Sequence, residues 1–377
     1  EKVRSRSLAM QKSDELREVG TLLYNELSKL GIEKLTSGYV LMDEEEKIGW
    51  SYGINPKTGK IQEKPHGLRQ TETKVMKDIT TSWKKQERQL VIKLDQKETV
   101  KHQSFVAERT INFPMTKEEL LSISPERLVV HTFNFNQGYL IIVGSDALTE
   151  KQQATVTRFT VAFQQTYTRF LDLQKAEAQT REAQIEMALE KVRSRSLAMH
   201  TTNELQEVVA VVAEKLKDLG VIFDAGGVIL CTYFQDTKDV LHWIAADDFS
   251  YSGSYLVPYF ENPIFDEAWK SKIQGDTYFS KEFSIEDKNS FFEYAFEHSD
   301  YKHFPDEFKQ HVLQAEHHRL TAAWSKNSAI LIPSFTEVVP SKSDAEIVKR
   351  FAKVFEQAYI RFMDLQKAEK RARESQI

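Results

Sequence analysis

Apolar positions along this chain follow a helical period and a strand period in the same order twice. Leu16, Val19, Leu22, Leu23, Leu27 and Leu30 keep helical spacing and stop at Gly31, which predicts a helix closed by glycine. SGYVLMD (37–43), KIGWSYGI (47–54) and QLVIKLD (89–95) read as strands, and 74–86 and 100–110 as helices. LVVHTFNF, Asn136-Gln137-Gly138 and YLIIVG form a hairpin signal, and a long helix begins near Thr149. The order then returns. A helix over 204–219 precedes the strands GGVILCTYF and DVLHWIAADD, and a helix- and aromatic-rich middle follows. TAAWSK and AILIPSF close the second round as a hairpin, and a last helix starts at Asp344. This order predicts an α+β fold, an antiparallel sheet with helices packed on one face.

The recurrence is also literal. EKVRSRSLAM stands at 1–10 and again, without a mismatch, at 190–199. RFLDLQKAEAQTREAQI (169–185) returns as RFMDLQKAEKRARESQI (361–377). Between these anchors Arg127-Leu128 answers Arg319-Leu320, and Trp50 answers Trp243. A period of about 190 residues, far above the roughly 20–50 of a solenoid, means two duplicated domains. The expected division is 1–10 as the end of an upstream connector helix, 11–170 as the first domain and 171–200 as a connecting helix. The second domain takes 201–362, and 363–377 forms an exit helix. The chain opens in one copy of the connector and stops in the next, so it reads as a window of a longer protein whose output domain lies downstream.

From 150 to 199 there is neither Pro nor Gly, and Ala, Glu, Gln, Lys and Arg abound, all good helix formers. Phe163, Tyr167, Phe170 and Leu173 make one half of an apolar seam. Ile185, Leu189, Val192, Ser196 and Met199 make the other, and 174–184 between them is polar. One apolar stripe on so long a helix needs a partner. The first half is expected to lie on its own domain, and 177–199 to form a parallel homodimeric coiled coil. Thr201-x-x-Glu204 fits a capping box and predicts a break there.

Composition narrows the chemistry. The 377 residues are 41% hydrophobic and carry 51 Lys+Arg against 56 Asp+Glu, a net charge of −5 that fits neither nucleic acid nor a membrane surface. A single cysteine, Cys231, excludes an internal disulfide and CxxC chemistry and points to a reducing compartment. No apolar run approaches the roughly 20 residues of a membrane span. HExxH, GxGxxG, GxxxxGK[ST], HRD and DFG are all absent. His298, His303, His311, His317 and His318 stand among acidic residues, a metal-like density without metal-ligand spacing, and read as a solvated charged helix. Aromatics crowd 233–304, mostly as expected core. His242, Trp243, Tyr251, Tyr259 and Trp324 are the candidates for the wall of a small-molecule pocket.

KAEAQTREAQIEMALEKVRSRSLAM and VPYFENPIFDEAWKSKIQGDTYF, with the tandem order of elements, resemble GAF-like domains of bacterial signalling proteins. Such domains stand upstream of sensor histidine kinases of two-component systems, nucleotide cyclases or helix-turn-helix regulators. The resemblance implies a cytoplasmic, dimeric sensory or relay module, not itself an enzyme, with ligands seated on the sheet under the helical insert. It names no cofactor. Bilin-binding members attach the chromophore to a Cys commonly followed by His, and here Thr232 follows Cys231, so no covalent bilin is expected. The Asn-Lys-x-x-Phe-x-x-x-Asp signature of cyclic-nucleotide binders is also missing. Two other functions compete with sensing: a ligand-free dimerisation scaffold, and a metal-dependent hydrolase built on His298 to His318.

Overall fold

A computed structural model describes residues 16–32, 34–53, 55, 64–201, 204–222, 227–234, 236–246 and 251–374. The connector expected over 1–10, the aromatic Phe249 and residues 375–377 of the exit helix lie outside these residues. The chain divides into two compact units, Glu1–Glu177 and Ala178–Ile377, and the boundary falls inside the expected connecting helix.

Unit 1 runs α1 (Leu16–Lys29), β1 (Thr36–Asp43), β2 (Ile48–Gly53), β3 (His66–Arg69), α2 (Lys74–Lys84) and β4 (Gln89–Leu94). It continues through α3 (Gln96–Arg109), α4 (Lys117–Ile123), β5 (Leu128–Phe135) and β6 (Gly138–Gly144) into α5 (Glu150–Leu197). Unit 2 takes the end of α5, then α6 (Leu205–Asp218), β7 (Gly227–Tyr233), β8 (Val240–Ala246), β9 (Gly253–Val257) and α7 (Pro263–Gln274). After these come β10 (Tyr278–Phe283), α8 (Ile285–His298), α9 (Asp306–Gln314), β11 (His318–Trp324), β12 (Ser328–Ser334) and α10 (Lys342–Glu374). The short strands β3, β9 and β10 escaped the sequence pattern.

Both sheets are six-stranded, ordered β3-β2-β1-β6-β5-β4 in unit 1 and β9-β8-β7-β12-β11-β10 in unit 2. Mapping each strand onto the strand six numbers later gives the same order, so the sequence repeat is a repeat of topology. The register agrees. Leu41 faces Trp50 in unit 1 and Leu230 faces Trp243 in unit 2, which equates the two tryptophans. Both first helices end on a left-handed glycine, Gly31 at φ 71° and Gly220 at φ 77°. After each, an amide reaches back to a carbonyl of the last turn, Ile32 to Leu27 at 3.1 Å and Val221 to Leu216 at 3.1 Å.

Helices cover both faces of each sheet, which corrects the one-face expectation. In unit 2, Val228, Leu230, Ile330 and Ile332 point toward α6 and α10, and Cys231, Ala329 and Leu331 toward the α7–α9 layer. In unit 1, Tyr39, Leu140 and Ile142 meet α1 and α5, while Val40, Tyr139 and Val143 meet α2. The physical reason is strand alternation within near-continuous apolar runs, which bury both faces and therefore need two covering layers.

The apolar seam is used inside the chain. Phe163, Tyr167 and Phe170 join the unit 1 core, where Tyr39 and Phe163 stack at 3.6 Å between ring centroids. Ile185, Leu189, Val192 and Met199 are buried with α6 and α10 in unit 2, and Leu173 is exposed. Arg350 of α10 clamps this stretch through Glu182 at 2.7 Å and Glu186 at 2.5 Å, and Arg361 donates to the Met199 carbonyl at 3.1 Å. The stripe assigned to a second copy is thus covered by the chain's own helices, because α6 and α10 carry matching apolar faces. The helix breaks at the expected place. Glu204 accepts from the amides of His200 and Thr201, each at 3.1 Å, and these bonds hold its carboxyl down at about 2.

Candidate functional site

Between the sheet of unit 2 and its α7–α9 layer lies a cavity of about 100 Å³. Its floor comes from alternate residues of neighbouring strands, among them Ile229, Cys231 and Tyr233 of β7 and Val240, His242 and Ile244 of β8. Phe265, Phe291, Phe292, Tyr301 and Phe304 roof it from the helices and the turn after α8. The helices hold position through their ends. Asn262 caps α7 at the Ile264 amide and Ser284 caps α8 at the Asp287 amide, so the aromatic faces downstream are aimed at the sheet.

The lining is apolar with few polar groups, and several of these are tied down. His242 Nδ1 and the Tyr301 hydroxyl share a hydrogen bond of 2.6 Å. Burial pushes the His242 imidazole down to about 3 and the Tyr301 hydroxyl upward, so the pair is neutral at pH 7. Burial pushes the Cys231 thiol up to about 12, which makes it an inert wall group. Trp324 Nε1 donates to Ser271 Oγ at 3.0 Å. Lys272 stands 4.1 Å over the Tyr233 ring and donates to the carbonyls of Ser325 at 2.9 Å and Lys326 at 3.1 Å. The arrangement suits a small flat molecule held by ring faces, with one neutral His–Tyr pair to orient it.

Three of the five sequence candidates, His242, Tyr251 and Trp324, line this cavity. Trp243 does not. It follows His242 on one strand and so faces the opposite side, its ring centroid 5.8 Å from that of Phe362 on α10. Tyr259 also stands apart, past the end of β9, donating to Asp266 at 2.7 Å. Sequence reasoning missed Tyr301, which lies in no motif, and Lys272, which stands within VPYFENPIFDEAWKSKIQGDTYF. The histidine stretch does not converge. His317 lies 3.4 Å from Glu282, His298 lies 3.7 Å from Glu297, and His318 stacks on Phe335. Among the described residues no group of three His, Cys, Asp or Glu could hold a metal ion. Among the same residues no helix is long and apolar enough to cross a membrane.

An acid titration reads out the buried imidazole. The folded state holds His242 at about 3, below its ordinary 6.5, so between these values the unfolded chain binds more protons. Stability from this group is therefore complete above about 6.5 and falls with pH below it, by about 2 kcal/mol at pH 5. Amide exchange of β7 and β8 at pH 7 and pH 5, corrected for intrinsic rates, should show that loss in the wild type and much less of it in His242→Gln. Equal losses in both would exclude His242 as the cause.

No protein-family model matches this chain, and no curated protein does. Among solved structures, residues 122 to 287 of a methyl-accepting chemotaxis protein align over 45% of this chain and 95% of that one. The identity is 13% and the TM-score 0.28. Bacteriophytochrome RpBphP3 from the photosynthetic bacterium R. palustris aligns over 88% of this chain at 11% identity with a TM-score of 0.33. The chain spans about three-fifths of that protein's length, 62%. With likeness this loose, the functional reading rests on the site itself.

Proposed function

We propose that this chain is a tandem GAF-like sensory module of a signalling protein, in which unit 2 binds a small flat apolar molecule and passes its presence to α10. The observation that carries this reading is a run of hydrogen bonds from the cavity wall to that helix. Lys272, on the wall, holds the carbonyls of the β11–β12 turn from one side. From the other side Glu356 of α10 accepts from Asn327 Nδ2 at 2.7 Å and from Ser328 Oγ at 2.6 Å. The Ser325 hydroxyl adds a bond to the Ala352 carbonyl at 3.1 Å. A ligand that shifts α7 acts on the turn, and the turn acts on α10. Two states of that turn with different ligand affinity are what a relay requires.

The cavity's size sets the probe. An apolar protein cavity of about 150 Å³ holds benzene, so the helical roof must move outward to admit it here. Benzene should slow amide exchange in α7–α9 and also in α10 around Glu356. Cys231→Phe, which fills the cavity, should abolish both effects. Glu356→Ala should keep the protection of α7–α9 and lose that of α10. Protection confined to α7–α9 in the wild type would remove the relay. No protection at all would leave the ligand-free scaffold.

A further inference from the structure

Unit 1 also encloses a cavity, about 140 Å³, between its sheet and α2–α4, and the chemistry of its wall differs from that of unit 2. Ser37 on β1 is only 2% exposed and lines this cavity, and its Oγ has no hydrogen-bond partner among the described residues. His102 and Thr110, from α3 and the residue after it, line the same space, and His102 Nδ1 and Thr110 Oγ1 lack partners in the same sense. A buried polar atom without a partner carries a desolvation cost, so three around one cavity mark a place where a polar guest is stabilised. Among the described residues the wall holds no Lys, Arg, Asp or Glu. Burial pushes both His66 and His102 down to about 4, so at pH 7 nothing on the wall is charged.

The register shows how the two copies diverged. Gly49 faces Met42 where His242 faces Cys231, so unit 1 has a glycine in the place of the imidazole. A Cβ on Gly49 would lie 2.7 Å from Gln70 Nε2 and 2.9 Å from Val40 Cγ1. The vacated space belongs to Gln70, which donates to the Leu68 carbonyl at 2.8 Å and accepts from the Tyr139 hydroxyl at 3.3 Å. Gln70 is therefore satisfied by its own unit. Ser37, His102 and Thr110 are not.

We infer that unit 1 is a second ligand site, selective for a compact neutral molecule bearing at least one hydrogen-bond donor and one acceptor. Its volume suits about six or seven heavy atoms, by comparison with the cavity of about 150 Å³ that holds benzene. The duplicated fold then reports two unlike molecules, a polar one in unit 1 and an apolar one in unit 2. This assignment stands apart from the reading of unit 2, because different residues, variants and probes test it.

The probe is 2-pyridone, neutral at pH 7, with one N–H donor and one carbonyl acceptor. It is titrated by ligand-observed NMR into the full chain in the Cys231→Phe background, and without that substitution as a control. Binding is expected in both. Thr110→Val and Ser37→Ala should each weaken it about five- to tenfold, the worth of one hydrogen bond. Ser37→Leu, which fills the space, should abolish it, and benzene should bind unit 1 at least about tenfold more weakly than 2-pyridone. Thr110→Val is nearly isosteric, and amide exchange of β1 and β6 in that variant verifies the fold. The assignment is overturned if 2-pyridone does not bind the folded chain, if the unit 1 variants leave its affinity unmoved, or if benzene binds there equally well. It is also overturned if a crystal soaked in 2-pyridone keeps only ordered water in this cavity.

Discussion

Replacing Lys288 with methionine should destabilise unit 2 by about 2–4 kcal/mol, the range for stranding several buried carbonyls. Lys288 sits on α8 with 0% exposure. Its ammonium donates to the carbonyls of Val312 at 2.5 Å, Leu313 at 3.1 Å and Ala315 at 2.6 Å. These acceptors close the C-terminus of α9, where the helix dipole also favours a cation. Burial pushes the ammonium's pKa below its ordinary value, which marks the desolvation that the three bonds offset. Methionine relieves that desolvation. It cannot supply donors, and the carbonyls belong to the backbone and cannot be removed, so the loss prevails. Amide exchange should accelerate in α8 and α9 while α2 and α3 stay as in the wild type. A change below about 0.5 kcal/mol, within the range of an ordinary surface substitution, would refute the argument.

Gly138→Ala should be as damaging to unit 1. Gly138 opens β6 opposite Leu41 of β1, after the two-residue turn Asn136-Gln137. A Cβ there would lie 1.9 Å from the Val40 carbonyl oxygen and 3.1 Å from Leu41 Cα. Both are backbone atoms, so no side-chain rotation relieves the clash and the strands must part. Overpacking commonly costs about 1–3 kcal/mol, occasionally more, and an unyielding neighbour belongs at the upper end. Exchange in β1 and β6 should rise sharply, with β7 and β12 unchanged. Wild-type protection of β1 in the variant would mean that the sheet accommodates the methyl.

Most of the framework was legible in the sequence, because period and punctuation are local. Leu16 to Leu30 with Gly31, the strand SGYVLMD and the Asn136-Gln137-Gly138 hairpin each announce themselves within a dozen residues. The two anchors equated the copies, and the matching strand orders agree with them. What escaped was short or two-sided. β3, with only the four residues His66–Arg69, offers too little alternation to detect. Near-continuous apolar runs such as AILIPSF do not say how many faces are covered.

The candidate site was half legible for the same reason. His242 and Trp243 looked like one pocket pair, but adjacent residues of a strand point to opposite faces, and only the sheet register decides which side holds the cavity. The seam of Ile185, Leu189, Val192 and Met199 was visible as an apolar stripe. A stripe records that a partner exists, and only the folded chain shows that α6 and α10 are that partner. Lys288, Lys272 and Glu356 carried no signal at all, since their partners are backbone carbonyls or turn residues about 24 to 54 positions away. The sequence alone determined the duplication, the element order, the helix ends and the apolar surfaces, because each depends on neighbours within a few residues. The tertiary structure decided which side of each sheet encloses a cavity, which polar atoms remain unpaired within it, and which helix covers the seam, because these depend on residues that meet only in the fold.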